Sequence, residues 1–369
     1  MIPEVVAAGP VRLRPFLADD ADDLAAGCGD PENLRFNPGM PRPYTVADAR
    51  WWITEGAPAA RAAGGVAYAV ADAGTDRLVG GAGLSHVVPG RDQAEVGYWV
   101  APWARRRGIA TAVTRALAET AFRAGLVRLE LLTHAENPAS QRVALAAGFR
   151  HEGVRRAAGR SRDGGRHDLL AWVRLGDDPD GPTPRVLPDL PDGRLTDGVV
   201  TLRRLAPDDV EPLHRLHTLP EVVANRVPQV APTRAAIERR CRVAESHWLV
   251  GASADFAVLD AATGTVAGGC ALVYDEPATG QAMVGFSLLP EWRGRGFAGG
   301  LLRLLAGWAF DDVGLARLWA GTRPDNVGAQ RSLERAGFHR EGLMRGRLPG
   351  PDGSRVDSVL YALPAPGRR

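Results

Sequence analysis

The chain carries one pattern twice. Val11-Arg-Leu-Arg14, followed by Asp19-Asp20, returns as Val200-Thr-Leu-Arg203, followed by Asp208-Asp209. Leu78-Val-Gly-Gly81 returns as Val266-Ala-Gly-Gly269, Val96-Gly-Tyr98 as Val284-Gly-Phe286, and Pro102 as Pro290. Asn137, Gly148-Phe149 and Glu152-Gly153 return as Asn326, Gly337-Phe338 and Glu341-Gly342. The closing Asp163-Gly164 with Asp168 returns as Asp352-Gly353 with Asp357. The offset stays at 188 to 189 throughout. A register held over about 160 positions marks a duplicated domain, because solenoid units run to only about 20–50 residues. Length agrees, since 369 residues at about 150 per domain make two.

Between the copies, prolines at 179, 182, 184, 188 and 191 deny the chain helix and ladder hydrogen bonds. The expectation is an N-terminal domain over 1–176, a semi-rigid extended linker over 177–197 and a C-terminal domain over 198–369.

Composition excludes several classes. With 45% hydrophobic and 24% charged residues the chain reads as globular. All 45 basic residues are Arg, and against 43 acidic ones they leave a net charge of +2. That is no global field for nucleic acid or a membrane surface. Cys28, Cys241 and Cys270 lie far apart, with neither a disulfide framework nor zinc spacing. The N-terminus lacks a basic region followed by an apolar run, and no stretch of 18 apolar residues occurs. A cytoplasmic address is expected.

Each copy reads as α+β with a mixed central sheet. In the first, Val11 to Arg14 alternates as a strand, and Asp19-Asp20 offers an N-cap to the helix carrying Leu24. A second helix is predicted from Val46 to about Ala63, then strands over Val66–Ala71, Leu78–His86 and Ala94–Val100. Gly108 opens a long helix with Val113, Leu117 and Ala121 on one face. Val127–Thr133 reads as a buried strand, Pro138–Ala147 as a helix stopped by Gly148, and two strands close the unit.

The junction after the fourth strand carries the chemistry. Copy one runs Pro102-Trp-Ala-Arg105-Arg106-Arg107-Gly108-Ile109-Ala110, and copy two Pro290-Glu-Trp-Arg293-Gly294-Arg295-Gly296-Phe297-Ala298. Both spell R-x-x-G-x-A where a strand becomes a helix. First-turn N–H groups lack intrahelical acceptors and the helix dipole is positive there, so an anion is favoured. Gly lets backbone approach a phosphate and Arg adds charge; a pyrophosphate-bearing cofactor is the natural occupant. A dinucleotide fingerprint would need G-x-G-x-x-G after the first strand, and a P-loop needs a Lys that the chain lacks.

These elements, the R-x-x-G-x-A turn after V-G-[YF] and N-x-x-[SA] before A-G-F, resemble the GNAT N-acetyltransferases, specifically their RimJ/RimL-like branch. The resemblance covers both halves and implies two tandem GNAT-type domains, each a mostly antiparallel sheet flanked by helices. It implies acetyl-CoA as co-substrate and no metal. The turn residues Arg105, Arg106, Arg107, Gly108, Ile109 and Ala110 would bind the pyrophosphate, and in copy two Arg293, Gly294, Arg295, Gly296, Phe297 and Ala298. Fourth-strand backbone near Tyr98 to Val100, and Ser287 to Leu289, would hold the thioester carbonyl. Asn137 and Asn326 would contact the pantetheine or cap the following helix.

An amine must be neutral to attack, so a base is needed. By the resemblance Glu95 fills that position and Ser140 protonates or holds the thiolate. The donor Tyr that many members place seven residues after the Asn is absent, Ala144 and Leu333 standing there. Copy two has Met283 for Glu95 and Ala329 for Ser140, so copy one is the expected catalyst, with Glu276 or Asp275 as substitute bases in copy two.

The expected partners are acetyl-CoA and an amine acceptor, either a protein N-terminal α-amine or a small molecule. The copies are expected to pack as an internal pseudo-dimer. The alternative is a non-catalytic acyl-CoA-binding or assembly protein. His214 and His217 share a helix face without a third metal ligand, and His134 and Glu136 flank the fifth strand's end. Arg155, Arg156, Arg160, Arg162 and Arg166 lack the aromatic interleaving of a nucleic-acid site and read as a solvated hairpin or a rim favouring an acidic substrate.

Overall fold

The computed structural model describes residues 2–88, 90–350 and 353–367; Asp352 of the closing repeat lies outside them. The chain divides into two compact units at Pro184/Arg185.

In the first unit the strands are β1 (Val6–Ala8), β2 (Val11–Arg14), β3 (Val66–Asp72), β4 (Leu78–Val88), β5 (Gln93–Val100), β6 (Arg128–His134), β7 (Arg150–Arg160) and β8 (Arg166–Leu175). The helices are α1 (Ala21–Cys28), α2 (Pro31–Phe36), α3 (Val46–Trp51), α4 (Ala57–Ala62), α5 (Ile109–Arg123) and α6 (Pro138–Ala146), with a π-helical turn over Trp52–Gly56 joining α3 to α4. The second unit repeats the plan with β9 (Arg194–Thr196), β10 (Val200–Arg204), β11 (Ser253–Asp260), β12 (Val266–Glu276), β13 (Gln281–Leu288), β14 (Arg317–Thr322), β15 (His339–Pro349) and β16 (Arg355–Pro364). Its helices are α7 (Val210–Thr218), α8 (Pro220–Val223), α9 (Arg234–Leu249), α10 (Phe297–Asp311) and α11 (Val327–Arg335).

Each sheet has eight strands, in the orders β1-β2-β3-β4-β5-β6-β8-β7 and β9-β10-β11-β12-β13-β14-β16-β15 read from the N-terminal edge. Among the described residues only β5·β6 and β13·β14 are parallel, and every other pairing is antiparallel. The period-2 rule makes both faces apolar: on β11, Ala254, Phe256 and Val258 pack in the core with α10, while Ala257 and Leu259 pack with α7 and α9. In the first unit α1 and α3 cover one face around Ala69 and Leu78, with Trp99 packed against them.

Two sequence readings change here. The 177–197 segment is no free linker. Thr183 donates to the Phe149 carbonyl at 2.9 Å on the first unit, whereas Leu187 and Leu190 are buried in the second unit's core and 194–196 is β9. Apolar side chains spaced between the prolines dock it. Asp20 does not cap α1 with its side chain. Its carboxylate instead takes both Arg14 guanidinium arms at 2.7 and 2.9 Å and the Leu17 N–H at 2.8 Å. Asp209 repeats this with Arg203, at 2.7 Å to each arm, and the Ala206 N–H.

The parallel pairing fixes the site. β5 and β6 hold register over Gln93↔Arg128, Ala94↔Leu129 and Glu95↔Glu130, and then part. Beyond Glu95, the β5 backbone groups that face β6 have no ladder partner among the described residues. The second unit parts after Met283↔Trp319.

Candidate active site

A cleft of about 910 Å³ opens where β5 and β6 diverge. Glu95, Val96, Gly97 and Tyr98 of β5, Leu131 to His134 of β6, Asn137 and Ser140 at the start of α6, Pro31, residues 34–38 and 159–163, and His86 line it. Arg162, on the β7–β8 hairpin, donates to the Leu34, Asn37 and Met40 carbonyls and so ties the hairpin over the α2 loop.

Strand alternation sends Glu95 and Tyr98 to opposite faces of β5, so they address the two mouths of the opening. Tyr98 reaches the α6 side, where its hydroxyl is 2.8 Å from Ser140 Oγ. Burial pushes the Tyr98 phenol up, so it stays protonated. Ser140 is set by its helix: Asn137 caps α6, its Oδ1 accepting the Ser140 N–H at 3.1 Å. Asn326 caps α11 alike, accepting the Ala329 N–H at 3.2 Å.

Glu95 faces the other side, half-buried. Burial raises its pKa; His86 lowers it, Glu130 raises it and Arg155 lowers it. Glu130 is ion-paired with Arg155 through Oε2, while its Oε1 is buried without a hydrogen-bond partner among the described residues. His134 closes this side, its ring 4.6 Å from His167 and 5.8 Å from Phe36. Its Nδ1 accepts the Glu136 N–H at 3.0 Å, and burial lowers its pKa, keeping it neutral.

The glycine elbow follows. Gly108, at φ +74°, caps α5, and the first helical acceptor is its own carbonyl, taking the Ala112 N–H at 3.0 Å. The N–H groups of residues 106–111 have no acceptor among the described residues, an anion-receptive arrangement. Arg105 is ion-paired with Asp30 and Arg107 with Asp72 at 3.3 Å, so the arginines are not all available to a phosphate; Arg106, at φ +61°, has no acidic partner among the described residues. Ile109 and Phe297 are core side chains, which leaves only their backbone to a ligand. In the second unit Gly294 (φ +74°) and Gly296 (φ +84°) shape the same bend beside a cavity of about 560 Å³. Arg295 lies 5.3 Å over the Trp292 ring, and Arg293 bonds the Leu288 carbonyl at 3.0 Å and Glu221 at 2.8 Å.

Two fourth-strand positions are occupied internally. The Val100 carbonyl accepts from Asn33 at 3.3 Å. Leu289 donates to Ala267 at 2.9 Å and accepts from Trp292 at 3.0 Å, leaving neither backbone group for a thioester. The Gly80↔Val100 and Gly268↔Leu288 pairings put the true counterpart of Tyr98–Val100 at Phe286–Leu288, one residue earlier than the sequence suggested.

The second unit does not repeat this set of side chains. At the registers of Glu95, Tyr98, Ser140 and His86 stand Met283, Phe286, Ala329 and Tyr274. His217 lies between Arg226 and Arg240, at 3.4 and 3.2 Å, and burial with these cations lowers its pKa to about 4, a setting hostile to a metal ion. Sequence reasoning missed the Tyr98–Ser140 contact, the place of His86 and the His134–His167 pair. Tyr98 alone carried a signal, two residues beyond Val96 on one strand face.

An α+β sheet parted at its parallel pair, with an anion-receptive elbow beside the gap, defines an acyl-transfer scaffold. The family model described as acetyltransferase (GNAT) domain matches residues 11–150 and again 200–339, and the chain belongs to this family of acyltransferases. The Bacillus subtilis "Probable N-acetyltransferase YjcK" is 41% identical over 64 residues, 17% of this chain and about a third (35%) of that protein. The Bacillus licheniformis "Uncharacterized N-acetyltransferase p20" is 26% identical over 44% of this chain and 92% of its own length. A GNAT acetyltransferase structure from Bacillus anthracis aligns at TM-score 0.42 and 18% identity, covering 46% of this chain and 98% of that one. Mycobacterium smegmatis RimJ in complex with CoA-disulfide aligns at 0.41 and 23%, covering 47% and 85%. The family uses acetyl-CoA; among the described residues no helix is long and apolar enough to cross a membrane, and no three-residue metal cluster occurs.

Proposed function

We propose that the first unit transfers the acetyl group of acetyl-CoA directly to a primary amine, on a protein N-terminus or a small molecule. Glu95 removes the proton that the attacking nitrogen must lose. Ser140, with the Tyr98 hydroxyl behind it, holds the departing thiolate on the opposite mouth of the gap. The N–H groups of residues 106–111 and the Arg106 guanidinium would bind the pyrophosphate, and the bonding groups of β5 freed beyond Glu95 would receive the thioester arm. When bound, acetyl-CoA supplies the activated acyl group; the chain supplies position and proton traffic.

The observation that carries the reading is the contrast between the units. One cleft in the first brings together Glu95, Ser140, Tyr98 and His134, whereas the second keeps the elbow and has Met283, Ala329, Phe286 and Arg323 at those registers. For the second unit this favours acyl-CoA binding without turnover. The word N-acetyltransferase in the relatives' names supports an amine as acceptor.

The test is steady CoA-thiol release by the full chain from acetyl-CoA, with a polyamine, an aminosugar and short peptides bearing a free α-amine. A base works only as the carboxylate, and Glu95 has a raised pKa, so kcat/KM falls on acidification at a pH above the ordinary carboxylate range. Glu95→Gln lowers kcat about 100-fold and abolishes that limb. Tight acetyl-CoA binding without turnover on any amine overturns the assignment.

A further inference from the structure

We propose that His86 accepts the proton that Glu95 collects, making the two side chains a relay from the cleft to solvent. The inference rests on Glu95 being the base of the reading above. His86 Nδ1 lies 3.3 Å from Glu95 Oε2, and the two side chains are 77% and 27% exposed, so the contact steps outward. Both line the same cleft.

The backbone holds this contact at a cost. β4 slips against β5 between Ser85 and Val88, and His86 sits in that bulge at φ +48°, a left-handed conformation unfavourable to a residue with a Cβ. Strain of this kind persists where the surrounding structure imposes it and gathers at functional sites. The second unit provides an internal control. β12 slips against β13 between Val273 and Glu276, yet Tyr274 at the matching position is not left-handed, and Met283 replaces the carboxylate. Imidazole, carboxylate and strain are absent together.

The proton balance closes without another reagent. An N–H bond of the ammonium breaks, its electron pair stays on nitrogen, and the proton forms an O–H bond on Glu95. That proton passes to His86 Nδ1 while the Nε2 proton leaves to water, which restores a carboxylate and a neutral imidazole. Glu95 faces His86, Glu130 and Arg155, and His86 Nδ1 also lies 3.2 Å from Ser85 Oγ. Burial raises the pKa of Glu95, which strengthens it as the base that collects the proton.

His86→Asn tests the relay, because Asn tolerates the left-handed bulge but cannot take up a proton near neutral pH. On the full chain, with the fastest acceptor of the amine panel, kcat falls about tenfold in dilute buffer and returns to within about twofold of wild type as imidazole is added. Wild type does not respond to imidazole. A loss that imidazole leaves unrepaired, or no loss at any buffer concentration, overturns the relay. Glu95→Gln separates the two claims. If it turns over normally, the base assignment falls and takes the relay with it; if it is inactive while His86→Asn behaves as wild type, only the relay falls.

Discussion

Two hydroxyls in the first cleft form one unit. Ser140 Oγ and the Tyr98 hydroxyl are 2.8 Å apart, and Phe286 and Ala329 remove both from the second unit. A tyrosine donating to the serine oxygen leaves the serine proton free to meet a thiolate. Groups that act as one chain are not additive when deleted. Ser140→Ala and Tyr98→Phe should each lower kcat about tenfold, while the double variant should lie within about threefold of either single. Steady-state kinetics on the four proteins decides, and multiplied losses would mean that the hydroxyls act separately. Cys28 and Cys241 are buried, and burial pushes them up to about 12 and about 11.

Among the elements, the joint between β2 and α1 depends on one ion pair. The Arg14 and Asp20 side chains are 9% and 6% exposed, and Arg14 also reaches Asp76 in the β3–β4 turn at 2.9 Å. Asp20→Ala leaves a buried guanidinium half-compensated, which costs about 3 kcal/mol. At about 2–4 °C per kcal/mol for a domain this size, the first unit's transition should fall by roughly 6–12 °C. Asp209→Ala should cost less, because Arg203 is 33% exposed and water replaces part of the pairing. Differential scanning calorimetry reads both, and equal losses would contradict the burial argument. Asp19-Asp20 read correctly from sequence as a helix start, but the partner of the carboxylate did not, because it comes from a strand six residues away in sequence. The same limit recurs at the site. Periodicity and the repeated R-x-x-G-x-A placed the strands and the elbow, while Glu95 and Ser140 came from the family resemblance and line one cleft. The α2 turn and β1 are too short to show a period, and the place of His86 depends on a bulge that no local pattern encodes.

On the scale of the whole chain, the duplication lets binding and chemistry be tested apart. Both units keep a left-handed glycine at the elbow, Gly108 and Gly296, with no atom within 4 Å of an added Cβ. Asp is among the residues that tolerate a left-handed backbone, and its carboxylate would stand where a phosphate is to be held. Gly296→Asp therefore blocks the second elbow with little disturbance of its fold, and Gly108→Asp does the same in the first. Isothermal titration of the full chain with CoA should give two equivalents for wild type and for Glu95→Gln, and one for either glycine variant. Turnover should survive Gly296→Asp and vanish with Gly108→Asp. If Gly296→Asp removes turnover while the first elbow still binds, the second copy takes part in catalysis. Its loss of carboxylate and hydroxyls would then have to be offset by residues such as Glu276 or Asp275, on or next to the turn between β12 and β13.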